Sequence, residues 1–494
     1  MESPIQPTNH DSESLGNKVR SAVIWRSGSQ IVAQLVQWAA TFMVIRILSP
    51  ADYGLFAMTQ VVVLLLNMLN GFGLASGLIQ QKEITQLQIR QLFGMLILVN
   101  VVLAAIQLIL APLASAYYRQ PMIGQMLYVQ ALIYLTTPFI ALPYALLSRT
   151  MEFRKQARIN ITASIASAGS ALGGALLGWG VWTLVFAPIV MFAVKAIGMS
   201  ITVRWLVWPS FNFRGAGHLA RYGALMAISQ LFWFVESQAD VFIAGRSFDP
   251  HLLGIYTTSL FLSQIFVSKV MPPLNEVAFS AYARIQHDEG AVARAFAGSV
   301  RIIMVAALPF YCGLAVTAEP LVLTLLGPKW AEAIPIVRLL CFAMPMRTLI
   351  TLIAPACDAR GRPGMSVQNG ATGAIILVFS YLVGVQYGVI GLAVSWLVAY
   401  PFYLGICLHR SLPIIGVSAA TVFDSILPSA LAATGMAICV LLIDQALPLL
   451  APPLRLGILV AAGGAIYSGW LALFSRSVID ELLMIAGRGK LKAA

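Results

Sequence analysis

The stretch Arg46-Ile-Leu-Ser-Pro-Ala-Asp-Tyr-Gly-Leu-Phe56 closes the first long apolar run of the chain and opens the second. Two hundred residues later, Arg246-Ser-Phe-Asp-Pro-His-Leu-Leu-Gly-Ile-Tyr256 keeps Arg, Pro and Gly at the same spacing. It carries Asp where the first copy has Ser, and answers Leu-Phe with Ile-Tyr. Neither copy needs a gap, and each occupies the short turn after a helix that follows a basic segment. A turn repeated in corresponding places marks an internal duplication. Pro50 with Gly54, and Pro250 with Gly254, are the residues expected to shape the two turns.

Composition names the solvent. Hydrophobic residues make up 59% of the 494, charged residues only 10%, and mean hydropathy is +0.84. A soluble domain carries about 25% charge, so most of this chain faces lipid or itself. Apolar runs recur along its whole length, which implies a polytopic helical protein. A transmembrane β-barrel would alternate polar and apolar residues, and stretches such as 61–66 and 375–379 do not. The first 16 residues are polar, contain Pro4 and Pro7, and lack the apolar core of a cleavable signal, so insertion is expected to begin with the first helix.

With about 20 apolar residues per crossing, spans are expected near 22–45, 55–78, 91–114, 122–147, 159–179 and 181–203. A second set falls near 222–245, 252–271, 296–317, 333–354, 365–384 and 388–408, and a final pair near 422–446 and 455–474. The fold class is therefore an all-α polytopic membrane protein of about fourteen transmembrane helices. Basic residues orient it, because Lys and Arg accumulate in cytoplasmic loops. With the N-terminus inside, twenty of the 31 basic residues fall in cytoplasmic segments and five in the opposite loops. Both termini are then cytoplasmic, and both copies of the turn lie on the outer face. Six spans separate them, so the halves run in the same direction as two six-helix lobes related by a pseudo-twofold along the membrane normal. The expected divisions are a tail (1–21), an N-lobe (22–204), a basic linker (205–221), a C-lobe (222–410), an extra helix pair (411–475) and a basic tail (476–494).

No loop is long enough to be a folded domain. The longest, 271–294, is partly amphipathic, and 149–158 is a basic strip expected to ride on the headgroups. The five cysteines show no metal-ligand spacing. No nucleotide-binding loop, zincin motif, nucleophile elbow or dinucleotide fingerprint occurs. No metal, cofactor, nucleic-acid partner or enzymatic activity is expected. Energy would come from an ion gradient, the membrane potential or the substrate gradient.

Ionisable residues inside spans are costly and so become functional candidates. Arg26, Lys195, Lys269, Arg301 and Arg347 are candidates for a cationic cavity. Arg26, Lys269 and Arg301 lie near a boundary, where long side chains also snorkel to the headgroups, as does Arg338. Lys195 and Arg347 lie deeper. Glu236 and Asp240 share one face of span 7 at i and i+4, suited to coupling an ion, relaying a proton or balancing an arginine. Arg26, Gln30, Gln34 and Gln37 step by four, four and three along span 1. That stripe fits a water-filled path or interhelical amide hydrogen bonds. Prolines inside spans (138, 143, 188, 309, 345 and 401) bend their helices.

Asp240-Val-Phe-Ile-Ala-Gly-Arg246 followed by Leu253-Gly-Ile-Tyr256 resembles the span 7 to 8 signature of Wzx-type polysaccharide flippases, in the colanic-acid-exporter-like branch. Ile47-Leu-Ser-Pro-Ala-Asp-Tyr-Gly-Leu-Phe-Ala-Met58, Gly178-Trp-Gly-Val-Trp-Thr-Leu-Val185, Pro143 through Arg149 to Phe153, Gly327-Pro-Lys-Trp330 and Arg284-Ile-Gln-His-Asp288 are similar to that branch too. Ala278-Phe-Ser-Ala281 departs from it in lacking a proline after the phenylalanine. The resemblance covers about residues 18–410 and implies the two-lobed fold of the multidrug/oligosaccharidyl-lipid/polysaccharide exporter superfamily. It implies a flippase that moves undecaprenyl-pyrophosphate-linked oligosaccharide from the cytoplasmic to the periplasmic leaflet of a bacterial inner membrane. Its partners would be the lipid-linked substrate, membrane lipids and the polymerase and glycosyltransferases of the same pathway. The excess of basic over acidic residues in the spans suits a pyrophosphate or acidic sugar. A cation-coupled drug exporter of the same fold is the alternative; a membrane polymerase or ligase is disfavoured by the lack of a large external loop. Arg46 and Arg246, on the outer face, are expected to cap the lobes where an outer gate would operate, not to meet a cytoplasmic substrate first.

Overall fold

The structure is a computed structural model that describes residues 15–68, 70, 85–150, 152–203, 207–212, 217–447 and 450–474. The described residues are mostly helical, and no β-strand occurs among them. In order, the helices are α1 (Leu15–Ile47), α2 (Pro50–Met68), α3 (Gln86–Tyr118), α4 (Pro121–Gln130), α5 (Leu132–Thr136), α6 (Pro138–Arg149), α7 (Phe153–Leu176) and α8 (Trp182–Val203). There follow α9 (Gly217–Ser247), α10 (Pro250–Arg284), α11 (Glu289–Val316), α12 (Ala318–Leu325), α13 (Ala333–Ala359), α14 (Pro363–Gly384), α15 (Gly388–Ile415), α16 (Ala419–Gln445) and α17 (Pro452–Phe474). Among the described residues, eleven stretches are long and apolar enough to cross a membrane. One of them, Pro363–Ile415, contains both α14 and α15.

The repeated turn is built as a helix cap in both copies. Ser49 precedes Pro50, and its hydroxyl donates to Asp52 Oδ2 at 2.6 Å while the Asp52 amide donates back to Ser49 Oγ at 3.3 Å. Asp249 precedes Pro250 and accepts from the Leu252 amide at 2.9 Å. Ser and Asp are interchangeable as N-caps, and proline at the first helical position loses no hydrogen bond. The difference between the copies is therefore chemically silent.

Compact packing divides the chain into two units. Unit 1 comprises 1–47, 66–115 and 121–227, and unit 2 comprises 48–65, 116–120 and 228–494. In unit 1, α1 packs along α7, α7 along α8, and α6 against α8. Leu92, Leu96 and Met95 of α3 bury against Ala141, Leu142 and Ala145 of α6. The segment 207–212, part of the expected linker, returns to α3. The Ser210 amide donates to the Arg90 carbonyl at 2.8 Å, and Gln91 Nε2 to that of Asn212 at 2.7 Å. The expected span 122–147 is three helices, with breaks at Ala131 and Thr137. Pro138 has no amide proton, and its ring collides with a preceding carbonyl, so a continuous helix cannot pass it cheaply.

In unit 2, α10 lies along α13, which also meets α11 and α15; α14 pairs with α15, α11 with α16, and α16 with α17. The stretch 271–294, expected as the longest loop, is mostly helix, because α10 runs to Arg284 through Pro272 and Pro273. Its far end is tied down where Asn275 Nδ2 donates to the Thr351 carbonyl at 3.0 Å and Tyr282 Oη to Ser299 Oγ at 2.8 Å. Two adjacent prolines remove two donors but leave the next turns free to continue. Arg455 grips both carboxylate oxygens of Asp444 at 2.6 and 2.7 Å, joining α17 to α16. Glu319 on α12 receives Arg455 at 3.8 Å and Arg338 at 3.9 Å.

Also within unit 2, the starts of α2 and α10 cross face to face. A β-carbon at Gly54 would overlap the Pro250 carbonyl, and one at Gly254 would overlap the Pro50 carbonyl. Only glycine permits such backbone approach. The contact is reciprocal, each copy of the turn meeting the same residues of the other.

Candidate functional site

Each unit holds a polar cluster inside otherwise apolar helices. In unit 1, α1, α6, α7 and α8 border a cavity of about 370 Å³ lined by Gln34, Gln37, Tyr144, Gln156, Asn160 and Lys195, among others. Gln34 and Gln37 lie three residues apart and so share a face of α1. Gln156, Asn160 and Ser164 recur every fourth residue of α7, a second polar stripe that presents hydrogen-bonding groups to the same space. Gln156 is itself held, because its amide donates to the Tyr144 carbonyl at 3.2 Å and to Ser148 Oγ at 3.0 Å. Ser167 Oγ donates to the Ala187 carbonyl at 3.0 Å, and Gly198 sits against Ile159, which sets α7 on α8. The cavity thus has amide and hydroxyl walls, two aromatic rings (Tyr144 and Phe153) and one cation, Lys195. Its volume is at the lower end of the roughly 300–1,000 Å³ of small-molecule sites.

In unit 2 the cluster is closed. Glu236 and Asp240 project from one face of α9 toward α10, α13 and α15. Asp240 is 1% exposed. Its Oδ2 accepts from Tyr256 Oη at 2.7 Å and its Oδ1 from the Val241 amide at 2.8 Å. Tyr256 Oη in turn accepts from Trp396 Nε1 at 2.9 Å. Tyr403 Oη reaches Glu236 Oε2 at 3.4 Å. The Tyr403 ring can lie there only because residue 373 is glycine, since any β-carbon would collide with the phenol. The Arg347 guanidinium sits 5.4 Å from the centre of the Trp396 ring, which stacks on Tyr400 with centroids 5.2 Å apart and planes 11° from parallel. Arg347 lies within electrostatic range of Glu236 and Asp240, without a direct ion pair to either among the described residues. Arg347 Nη1 and the Tyr381 and Tyr400 hydroxyls are buried with no hydrogen-bond partner among the described residues.

The other expected residues are dispersed. Arg26 and Gln30 lie on α1, with side chains outside the described residues. Lys269 is exposed on α10, 13 residues past Tyr256, or about 20 Å along a helix. Arg301 is half-buried on α11. Arg46 is exposed in the last turn of α1. Arg246 donates to the Tyr117 carbonyl and lies 5.1 Å from that ring's centre, while Tyr117 stacks on Phe242 at 4.6 Å. Arg246 is thus engaged by Tyr117. Sequence reasoning passed over the stripe 156–160–164 and the aromatic face of α15 at 396, 400 and 403. Both were open to the spacing test that exposed Gln30, Gln34 and Gln37.

A family model described as polysaccharide biosynthesis protein matches residues 43–335. The succinoglycan biosynthesis transport protein ExoT of Rhizobium meliloti (strain 1021) is 25% identical over 462 residues, covering 91% of this chain and 92% of that protein. The lipopolysaccharide biosynthesis protein WzxC of Escherichia coli (strain K12) is 22% identical over 387 residues, covering 78% and 79%. Among solved structures, the lipid II flippase MurJ in an inward closed conformation superposes with a TM-score of 0.76 at 11% identity, covering 92% of this chain and 100% of that one. That likeness establishes a shared fold.

Proposed function

The chain belongs to the polysaccharide biosynthesis protein family, and from that premise we propose that it flips an undecaprenyl-pyrophosphate-linked oligosaccharide across a bacterial inner membrane. The direction is cytoplasmic to periplasmic, by alternating access of two six-helix lobes (22–204 and 222–410), with both termini inside. The chain makes and breaks no bond in the saccharide, and hands its cargo to the polymerase and glycosyltransferases of its pathway.

The observation that carries this reading is the unit 1 cavity. A saccharide presents hydroxyls in every direction and an acidic sugar or phosphate presents an anion. Gln34, Gln37, Gln156 and Asn160 supply both donors and acceptors, and Lys195 supplies three donors and a charge. Inside a membrane such a lining is costly unless it meets water or a polar ligand. Arg26, Lys269 and Arg301 are further candidates for phosphate contact. Arg347 is better assigned to charge balance than to the phosphate contact expected above, because it faces its own carboxylates and Trp396. Glu236 and Asp240 then provide the exchangeable charge of the cycle.

The test is leaflet-resolved flipping of a fluorescent lipid-linked oligosaccharide in proteoliposomes. Lys195→Ala combined with Gln37→Ala should slow flipping by at least tenfold at equal protein incorporation. Unchanged flipping would remove the cavity from the mechanism.

A further inference from the structure

A second polar cavity lies at one end of unit 2, away from both clusters described above. It measures about 620 Å³, and its lining includes Arg360, Arg362, Gln368, Met365, Pro413 and Ile414. The residues come from the end of α13, the start of α14 and the end of α15, so the cavity lies where membrane-spanning helices stop. Its two arginines have different duties. Arg360 is a tie: Nε donates to the Ile414 carbonyl at 3.2 Å and Nη1 to that of Gln286 at 2.9 Å. Arg362 is exposed and closes no ion pair among the described residues. The tight turn between α13 and α14 presents it, with Gly361 at φ +72° and the Arg362 amide bonded to the Cys357 carbonyl at 3.0 Å. Asp358, the adjacent carboxylate, is engaged by Ser366 Oγ at 2.7 Å.

The chemistry of the walls selects a ligand. Arg362 and Gln368 offer donors for an oxyanion, and a guanidinium fork suits phosphate. Met365, Pro413 and Ile414 form an apolar wall that a small hydrated anion cannot use. A molecule with a phosphate at one end and hydrocarbon at the other satisfies both halves, and at a helix end it would sit at headgroup depth. Basic pockets between transmembrane helices recognise lipid headgroups in this way. We propose that this cavity binds the phosphate of a membrane-anchored lipid, with a resident anionic phospholipid as its occupant. The proposal is independent of the transport reading, since its measurement is binding alone.

The purified full chain in detergent, titrated with phosphatidylglycerol or phosphatidylcholine and read by native mass spectrometry, tests it. The chain should retain phosphatidylglycerol more strongly than phosphatidylcholine. Arg362→Gln should weaken that retention about fivefold, and Gln368→Leu should weaken it less. Arg119→Gln, which removes an exposed arginine from the turn between α3 and α4, should leave it unchanged. Arg360 is left intact because it holds two helix ends, and thermal unfolding of each variant checks the fold. A preference for undecaprenyl phosphate over phosphatidylglycerol, lost in Arg362→Gln, would keep the phosphate site and reassign its source. Equal retention of the two phospholipids, or equal phosphatidylglycerol binding by the wild type and Arg362→Gln, would overturn it. Inorganic pyrophosphate that displaces the lipid as well as lipid displaces itself would also overturn it, because the apolar wall would then contribute nothing.

Discussion

Lys195 and Arg347 are both basic residues deep in apolar helices, yet their surroundings are opposites. Lys195 opens on a cavity of amides and hydroxyls and is half-buried. Arg347 is packed over Trp396 in electrostatic range of two carboxylates. A cation surrounded by neutral hydrogen-bonding groups keeps its charge available for a ligand that arrives from outside. A cation facing Glu236 and Asp240 has its counter-charge built in, and any change in it must come from those carboxylates. Position in a span cannot separate these two situations. The neighbours decide.

The contrast is broken most directly at Arg347. Arg347→Met leaves two carboxylates without a counter-charge in a low-dielectric interior. Removing one partner of a buried charge set costs about 3–5 kcal/mol, to be read as a fall in thermal midpoint of the detergent-solubilised chain. Adding Glu236→Gln and Asp240→Asn to Arg347→Met should recover most of that loss, because a neutral set needs no balancing. If the triple variant is no more stable than Arg347→Met, the arginine acts through packing on Trp396 and the charge-balance reading fails.

Within the closed cluster the two tyrosines should separate. Tyr256→Phe removes a 2.7 Å hydrogen bond to Asp240 and the acceptor of Trp396 Nε1, a loss of about 1.5–3 kcal/mol for a bond to a charged group. Tyr403→Phe removes only the 3.4 Å contact to Glu236, and should cost about 0.5 kcal/mol, the low end for a single hydrogen bond. Equal costs would mean that Glu236 is held as firmly as Asp240, and the assignment of exchangeable charge would lose its more loosely held member.

Much of this was legible before the structure. The repeat at 46–56 and 246–256 located both capped turns, since N-cap and proline chemistry is local and sequence carries it directly. The i, i+4 pairing of Glu236 and Asp240 was readable for the same reason. The reciprocal approach of Gly54 and Gly254 to the facing proline carbonyls was not, because spacing along a chain says nothing about which helix crosses which. The partners of Arg347 were likewise hidden, being spread over α9, α14 and α15. The break at Thr137 was signalled by Pro138, but a single apolar run reads as one span. The continuation of α10 past Pro272 and Pro273 depends on tertiary ties through Asn275 and Tyr282, which no local propensity contains.

The smallest effect is expected at Lys195, and its sign carries the argument. Lys195→Met replaces an ammonium with an apolar side chain of similar reach. If the cavity is hydrated, the ammonium is solvated in place and little is gained or lost, so stability should stay within about 0.5 kcal/mol of the wild type. If the cavity is dry, the lysine is a desolvated amine among neutral amides, and its removal should stabilise the chain by more than about 1 kcal/mol. Gln37→Leu supplies the internal check, since it leaves the charge and changes only the hydrogen-bonding wall. A near-zero change for both, together with impaired flipping, is the signature of residues that serve a ligand and not the fold. A clear gain in stability for Lys195→Met with flipping intact would mean that the cavity of unit 1 is as closed as the cluster of unit 2, and the contrast between them would disappear.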